Sequence, residues 1–169
     1  MEPPRKGTIT LCDLVRETDI SEHVLDAVLK VALEISAEGR EGHRIGTAFL
    51  VGDSPGVMAR SRQLVLNPFK GYDKNNTMVT DPEIQNTIKE FAQLDGVFVI
   101  SSEGAVEAAG RYITVDAGDT RLNGLGTRHT SVAAMTKATR SVGVVVSQSG
   151  GVIRLFREGR LTGVVKAHG

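Results

Sequence analysis

Residues 95–112 read DGVFVISSEGAVEAAGRY and combine an Asp-Gly pair, an apolar run and a glycine turn. The apolar run Val97–Ile100 predicts a strand buried on both faces, as is typical of the centre of a sheet. Residues 102–104 predict a turn that leads back into a second strand at residues 106–112. The stretch therefore predicts a hairpin inside a larger sheet, with an Asp-Gly pair at the entrance to its first strand.

Outward from this hairpin, the chain alternates strand and helix patterns. Further strands, rich in β-branched or aliphatic residues, are predicted at residues 44–51, 63–66, 142–147, 152–157 and 161–166, with a short one at 8–11. Helices are predicted from apolar spacing at residues 19–37, 81–94 and 130–140, the first from a capping box of Asp19 and Glu22. A turn is expected at residues 52–56 and irregular chain at 69–80. This order predicts an α/β or α+β domain built on one mixed sheet.

The domain boundaries follow from the same pattern. We expect a loose N-terminal arm at residues 1–18, one domain at residues 19–166 and a short tail at residues 167–169. The 169-residue length suits one domain that buries a core of its own.

Composition and charge exclude several classes of protein. The chain has 20 Lys and Arg against 20 Asp and Glu, 4% aromatic residues and no Trp, which disfavours binding to nucleic acid. No run approaches the ~20 apolar residues of a membrane span, and residues 1–7 lack the apolar core of a secretory signal. Cys12 is the single cysteine, so neither an intrachain disulfide nor a thiolate zinc site is possible. We expect a cytoplasmic protein that contacts neither membrane nor nucleic acid.

The first candidate site is Asp95-Gly96, at the mouth of the central strand. A carboxylate is a hard oxygen ligand suited to Mg²⁺ or Mn²⁺, and a glycine lets a ligand approach the backbone closely. The alternative is an ordinary Asp-Gly turn between a helix and a strand.

The second candidate site is residues 124–130, GLGTRHT, at the head of a helix. Free backbone N–H groups, the hydroxyls of Thr127 and Thr130, and the basic Arg128 and His129 all favour an anion. Cations at a helix N-terminus oppose the helix dipole unless an anion binds there. The alternative is that a threonine caps the helix and the basic side chains are solvated.

Other common sites are not supported. The sequence holds no GxxxxGK[ST] motif, no GxGxxG between a strand and a helix, and no GxSxG elbow. His23, His43 and His168 lack acidic or histidine partners at metal-binding spacing, so we interpret them as structural or solvated.

Several ordered motifs resemble the diadenylate cyclase domain, the DisA-type nucleotide-binding domain. The family pattern is DGA, a strand ending near AGxYL, then GTRHR opening a helix, then VVSEE. This chain has DGV at 95–97, AGRYI at 109–113, GTRHT at 126–130 and VVSQS at 145–149. The amino-terminal half matches as well, through GTAFLVGD at 46–53 and NPFKGY at 67–72, so that the resemblance covers residues 23–165.

The resemblance implies a fold and a reaction. The fold would be a single domain with a mixed, roughly seven-stranded central sheet flanked by helices, like the DisA N-terminal domain. The reaction would condense two ATP into cyclic di-AMP with release of two pyrophosphates. Because each domain of the family holds one ATP, two copies would have to face each other as a homo-oligomer, with Mg²⁺ or Mn²⁺ as the cofactor.

The resemblance also implies roles for individual residues. Asp95 matches the aspartate associated with the metal and the attacking 3′-hydroxyl, and Gly96 is its neighbour at the nucleotide. Nucleotide-binding positions are implied at Ile113, which would contact adenine, and at Gly126, Thr127, Arg128, His129, Thr130 and Ser147.

Three positions depart from the family pattern. Val97 replaces alanine, Thr130 replaces the second arginine of RHR, and Gln148 replaces the first acid of SEE. The loss of a guanidinium at Thr130 removes a group that could grip phosphate with two hydrogen bonds. Two alternatives therefore stay open: a domain that binds ATP or cyclic di-AMP without turnover, and an interaction domain without nucleotide.

Overall fold

The computed structural model describes residues 10–39, 42–118, 120, 122, 124–149 and 151–166. Its helices are α1 (Leu11–Val15), α2 (Glu22–Glu38), α3 (Ser54–Ala59), α4 (Pro82–Phe91) and α5 (Thr127–Ala138), with a 3₁₀ turn at Lys74–Asn76. Its strands are β1 (Thr47–Val51), β2 (Ser61–Gln63), β3 (Val97–Ile100), β4 (Val106–Ile113), β5 (Val142–Val146), β6 (Val152–Arg157) and β7 (Arg160–Lys166).

The seven strands form one sheet in the order β2-β4-β3-β1-β5-β6-β7. β1 and β3 run parallel, while every other neighbouring pair is antiparallel. The sheet is therefore mixed and seven-stranded, and the predicted α/β class and the β3–β4 hairpin are confirmed. The amino ends of β1, β3 and β6 and the carboxyl ends of β4 and β5 meet at one end of the sheet, called here the site end.

Two apolar layers cover the faces of this sheet. On one face, β1 residues Phe49 and Val51 belong to a core with α1, α2 and α4. On the other face, Ala48 and Leu50 belong to a core with α3 and α5. Alternate residues of a strand point to opposite faces, so burial of all five β1 residues follows from helices on both sides.

The segment before α2 departs from the sequence prediction in three places. Leu11 begins a helix instead of ending a strand, and residues 8 and 9 lie outside the described part of the chain. Within the predicted loose arm, α1 packs on the core through Leu14 and Val15. Ser21, and not Asp19, caps α2, because the buried Ile20 places Ser21 at the helix entrance, where its Oγ accepts a hydrogen bond from Val24 N–H.

The turn predicted at residues 52–56 is in fact the start of α3. Asp53 Oδ1 accepts a hydrogen bond from Gly56 N–H, and Pro55 stands in the first turn of the helix. The residue types that favour a turn also cap a helix, so the local pattern did not distinguish the two.

The strand predicted at residues 63–66 lies earlier, at Ser61–Gln63. Long-range hydrogen bonds decide its position: the Arg111 guanidinium donates to the carbonyl oxygens of Met58 and Ser61 at 2.8 and 2.7 Å. Likewise α5 begins at Thr127, three residues before the prediction, because its polar first turn hides the helical spacing.

Candidate active site

A cleft of about 380 Å³ opens at the site end of the sheet, between the β3–β4 hairpin and the start of α5. Its lining residues are Leu64, Asp95, Gly96, Val97, Arg111, Tyr112, Ile113, Thr127, Arg128 and Ser131. Five candidate residues from the sequence thus share one cleft, although they come from three separate parts of the chain: Asp95, Gly96, Ile113, Thr127 and Arg128. The volume lies within the range of small-molecule sites.

Asp95 supplies the carboxylate of this cleft. It is solvent-exposed, stands two residues before β3, and makes no side-chain hydrogen bond or ion pair with another described residue. The described residues contain no group of three or more His, Cys, Asp or Glu side chains that could hold a metal ion. A lone carboxylate nevertheless fits Mg²⁺, which proteins bind through one or two carboxylates together with substrate phosphates.

The backbone conformation and the close packing at position 96 require glycine. Its φ is +98°, and a Cβ at this position would lie 2.7 Å from the carbonyl oxygen of Arg111. The packing of β3 on β4 therefore demands glycine beside Asp95, independently of any ligand that approaches this residue.

An apolar wall faces the carboxylate. Leu64, Val97, Tyr112 and Ile113 line the cleft, and the Tyr112 ring is half-exposed with the Arg62 guanidinium 4.9 Å from its centre. Sequence reasoning missed Leu64 and Tyr112. The apolar run at residues 64–66, just before Asn-Pro, was the available signal, because three apolar residues outside a buried strand need another partner.

The start of α5 supplies the cationic side of the cleft. Thr127, Arg128 and Ser131 line it, and the helix is capped by Gly126 without a side-chain hydrogen bond. A Cβ on Gly46 would lie only 2.5 Å from Arg128 Nη1. The glycine before β1 therefore makes room for the guanidinium.

His129 points toward β6 and not into the cleft. Its ring packs edge-on against Phe156, and its Nε2 lies 3.4 Å from Arg154 Nη1. Burial lowers the pKa of His129 below its ordinary value, and the positive charges of Arg154 and Arg128 lower it further. The ring is therefore neutral near pH 7.

Thr130 and Ser147 engage their own backbone surroundings. Thr130 Oγ1 donates to the Gly126 carbonyl oxygen at 3.2 Å, inside the first turn of α5. Ser147, at the end of β5, donates from Oγ to the carbonyl oxygen of Ser149 at 2.8 Å. Gly126, His129, Thr130 and Ser147 thus lie around the cleft without lining it.

A larger cleft, of about 540 Å³, lies beyond the carboxyl ends of β1 and β3, at the opposite end of the sheet. It contains the carboxylates of Glu17, Asp19, Asp53, Glu103 and Glu107 against the cations Lys74 and Arg140. Excess negative charge disfavours a phosphorylated ligand. The smaller cleft instead offers an apolar wall, one carboxylate and two arginines, Arg111 and Arg128, which suits a ring-bearing phosphorylated molecule with a bound cation.

No helix within the described residues is long and apolar enough to cross a lipid bilayer.

Two related proteins are both named diadenylate cyclase. The one from Methanocaldococcus jannaschii is 42% identical over 156 residues, which cover 91% of this chain and 49% of the relative. The one from Haloferax volcanii is 37% identical over 150 residues, which cover 88% of this chain and 55% of the relative. The chain therefore spans about half the length of these relatives.

Solved structures with low sequence identity share the fold. A crystal structure described as a hypothetical membrane spanning protein from Bacillus cereus has a TM-score of 0.63 at 14% identity, covering 83% of this chain and 63% of its own. A double mutant of DacA from Staphylococcus aureus has a TM-score of 0.53 at 18% identity, covering 83% and 85%.

The family profile described as DisA bacterial checkpoint controller nucleotide-binding matches residues 34–161. This match includes the whole 380 Å³ cleft, from Leu64 to Ser131. Because the profile covers well over half of the chain, the chain belongs to the DisA bacterial checkpoint controller nucleotide-binding family.

Proposed function

We propose that this chain is a diadenylate cyclase, which condenses two ATP into cyclic di-AMP and releases two pyrophosphates. Membership of the family and the names of the two relatives support the proposal. The observation that carries it is the 380 Å³ cleft, which Asp95, the apolar wall and Arg128 line together.

The apolar wall would receive the adenine. Ile113 ends β4 inside the cleft, and Leu64 and Tyr112 stand beside it with substantial exposed surface. An aromatic ring such as adenine gains affinity by covering exposed apolar and aromatic side chains. With the base on this wall, the ribose and the phosphates would lie toward Asp95 and the start of α5.

The phosphates would bind at the start of α5. Backbone N–H groups of the first turn and the Thr127 hydroxyl can donate to phosphate oxygens, and Arg128 adds a charged fork. His129 and Ser147 lie nearby at the same end of the sheet, on α5 and at the end of β5. The helix dipole favours the negative charge of the phosphates here.

The reaction needs two nucleotides held in line. The 3′-hydroxyl oxygen of one ATP forms a bond to the α-phosphorus of the other, the bond to the β-phosphate oxygen breaks, and pyrophosphate leaves with the electron pair. The hydroxyl proton is released, and Asp95 is the carboxylate placed to accept a hydrogen bond from it. A second, identical transfer closes the ring. Positioning supplies most of the catalysis, as in other phosphoryl transfers.

Asp95 would also be the protein's ligand to Mg²⁺ or Mn²⁺, together with phosphate oxygens. When bound, the divalent ion neutralises charge that develops on the transferred phosphate. Arg128 stabilises the same charge from the other side of the cleft.

Two copies of the chain would complete the site, because one cleft has room for one nucleotide. The proposed homo-oligomer contains at least a pair of copies that face each other across their clefts. Leu64, Val65 and Leu66 support this pairing: they adjoin the cleft and are 39%, 46% and 95% exposed. Apolar side chains this exposed gain stability when a second copy covers them. We also place the enzyme in the cytoplasm, since its one cysteine, Cys12, is a free thiol.

The direct test is to incubate the purified chain with ATP and either Mg²⁺ or Mn²⁺, and to look for cyclic di-AMP by mass spectrometry. We expect cyclic di-AMP and pyrophosphate in a ratio of one to two. ATP that binds without forming product would replace the proposal with a nucleotide sensor, and the absence of both would replace it with an interaction domain.

A further inference from the structure

Arg154 is a partly buried arginine on β6 that the proposed reaction does not use. It pairs with Val145 on β5, whose side chain belongs to the core beneath α5, so Arg154 lies on the α5 face of the sheet. Its Nη1 lies 3.4 Å from Nε2 of His129. A strand residue thus brings a second guanidinium to the first turn of α5.

The charges around this turn are positive. Arg128 and Arg154 take part in none of the ion pairs found among the described residues. Burial and, after it, the positive charges of Arg154 and Arg128 lower the pKa of the neighbouring His129. Partly buried cations without carboxylate partners cost free energy, and a polyanion bound among them removes that cost.

The contact between Arg154 and His129 also sets the proton on the histidine. A guanidinium only donates hydrogen bonds, so Nε2 of His129 must be the acceptor and Nδ1 must carry the hydrogen. The contact with Arg154 therefore selects the His129 tautomer with its hydrogen on Nδ1.

Thr130 adds no positive charge to this turn. The family pattern has arginine at this position, whereas the Thr130 hydroxyl donates to the carbonyl oxygen of Gly126 within its own helix. The start of α5 therefore contributes one guanidinium, that of Arg128.

The sheet order defines which part of ATP Arg154 can reach. β6 lies three strands from β3, which bears Asp95 at its entrance, and a strand spacing of 4.7–4.9 Å places β6 roughly 14 Å away. With the ribose near Asp95, the strand that carries Arg154 therefore lies toward the outer phosphates and not toward the nucleoside.

We propose that Arg154 is a substrate-binding residue for the β- and γ-phosphates of ATP, and that it supplies the second guanidinium that Thr130 does not. The proposal rests on the proposed function, since it assigns Arg154 to the same ATP. Arg154 would then discriminate a triphosphate from a monophosphate and leave recognition of the nucleoside to the cleft.

The test compares two nucleotides by isothermal titration: 3′-deoxy-ATP, which lacks the attacking hydroxyl and cannot cyclise, and AMP. Arg154→Gln should weaken 3′-deoxy-ATP binding by roughly ten- to hundred-fold, the usual range for a lost charge-assisted hydrogen bond. AMP affinity should stay within about two-fold. Arg154→Lys should fall between Gln and the wild type, because it keeps the charge without the fork.

Arg160→Gln is the matched control. It removes the same charge at the exposed first residue of β7, at the other end of the β6–β7 hairpin, and should bind both nucleotides as the wild type does. Thermal unfolding of each variant shows whether it is folded. If Arg154→Gln does not fold, the same two affinities are measured for Arg154→Lys. Its affinity for 3′-deoxy-ATP should decrease while its affinity for AMP stays unchanged.

Equal losses for AMP and 3′-deoxy-ATP, or normal binding of both, would overturn the role of Arg154. A wild-type assay for cyclic di-AMP, run in parallel, separates this outcome from failure of the proposed function. If the wild type makes cyclic di-AMP while Arg154→Gln binds 3′-deoxy-ATP normally, the inference about Arg154 alone fails. If the wild type makes none while Arg154→Gln loses only 3′-deoxy-ATP, the proposed reaction fails and the phosphate contact stands.

Discussion

Gly96 and Arg111 are in such close contact that a Cβ on Gly96 would lie 2.7 Å from the carbonyl oxygen and 2.8 Å from the nitrogen of Arg111. Arg111 is itself anchored, because its guanidinium donates to the carbonyl oxygens of Met58 and Ser61. The backbone next to Asp95 is thus pressed against a strand that is held in turn by the chain around β2. The position of the cleft carboxylate depends on this packing.

Replacement of Gly96 by alanine should destabilise the fold by at least about 3 kcal/mol, because the new Cβ adds a backbone clash to an unfavourable positive φ. Gly71→Ala is the control. Gly71 has a φ of +90°, and a Cβ there would have no atom within 4 Å, so this variant should lose about 1 kcal/mol of unfolding free energy. Urea unfolding of both variants measures the difference. Equal losses of unfolding free energy in the two variants would show that β4 moves to accommodate the new methyl group.

Asp95→Asn should keep the fold and lose turnover by roughly a hundred-fold or more, because the change is nearly isosteric but removes the charge that holds the divalent ion. Production of cyclic di-AMP across a range of Mg²⁺ and Mn²⁺ concentrations is the measurement. Asp26→Asn, at an exposed position on α2, removes a carboxylate away from the cleft and should leave turnover unchanged. Parental turnover in Asp95→Asn at every metal concentration would contradict the role of Asp95.

Specific activity should rise with protein concentration in the dilute range, because the two nucleotides are held by two copies of the chain. The equal numbers of acidic and basic residues give no strong repulsion against pairing. Light scattering measured alongside the assay reports the fraction of pairs. Constant specific activity at concentrations where only monomer is present would exclude a site shared by two copies.

Arg128→Ala should weaken ATP binding more than Thr130→Ala does. Arg128 lines the cleft, whereas the Thr130 hydroxyl is bonded to the Gly126 carbonyl oxygen. We expect a loss of roughly ten-fold or more for Arg128→Ala and less than about three-fold for Thr130→Ala. Isothermal titration with 3′-deoxy-ATP distinguishes them, and a larger loss at Thr130 would mean that the phosphates bind elsewhere.

The stability of the folded chain should fall slightly in mild acid because of His129. Its pKa is lowered in the folded state, so the unfolded chain binds more protons between that pKa and the ordinary value near 6.5. The free energy of unfolding is therefore unaffected by the protonation of His129 above pH 6.5. It decreases as the pH falls through this window, by about a few tenths of a kcal/mol for a half-buried ring. Urea unfolding at pH 7.5 and 5.5 should show a smaller pH effect in His129→Gln than in the wild type.

The sequence predicted most of the sheet because its strands carry a strong local signal. Val97–Ile100 and Val152–Arg157 were placed to the residue: the first is a continuous apolar run, the second is rich in apolar residues, and both have turn residues at each end. β2 was misplaced because long-range hydrogen bonds to β4, some fifty residues away along the chain, fix where that edge strand pairs; those of the Arg111 guanidinium and of Gln63 are examples.

For the candidate site, the family and the residue types could be predicted from the sequence: a carboxylate before a central strand and a basic, hydroxyl-rich helix start. Both are patterns of residues that are adjacent in the sequence, so they are visible without the structure. Tertiary structure alone decided which of these groups share a cleft, that Gly96 serves the packing of β4, and that the Thr130 hydroxyl bonds within its own helix. It also brought Arg154 to His129, because a contact between residues 25 positions apart depends on the pairing of β5 with β6 and on the packing of α5 across them.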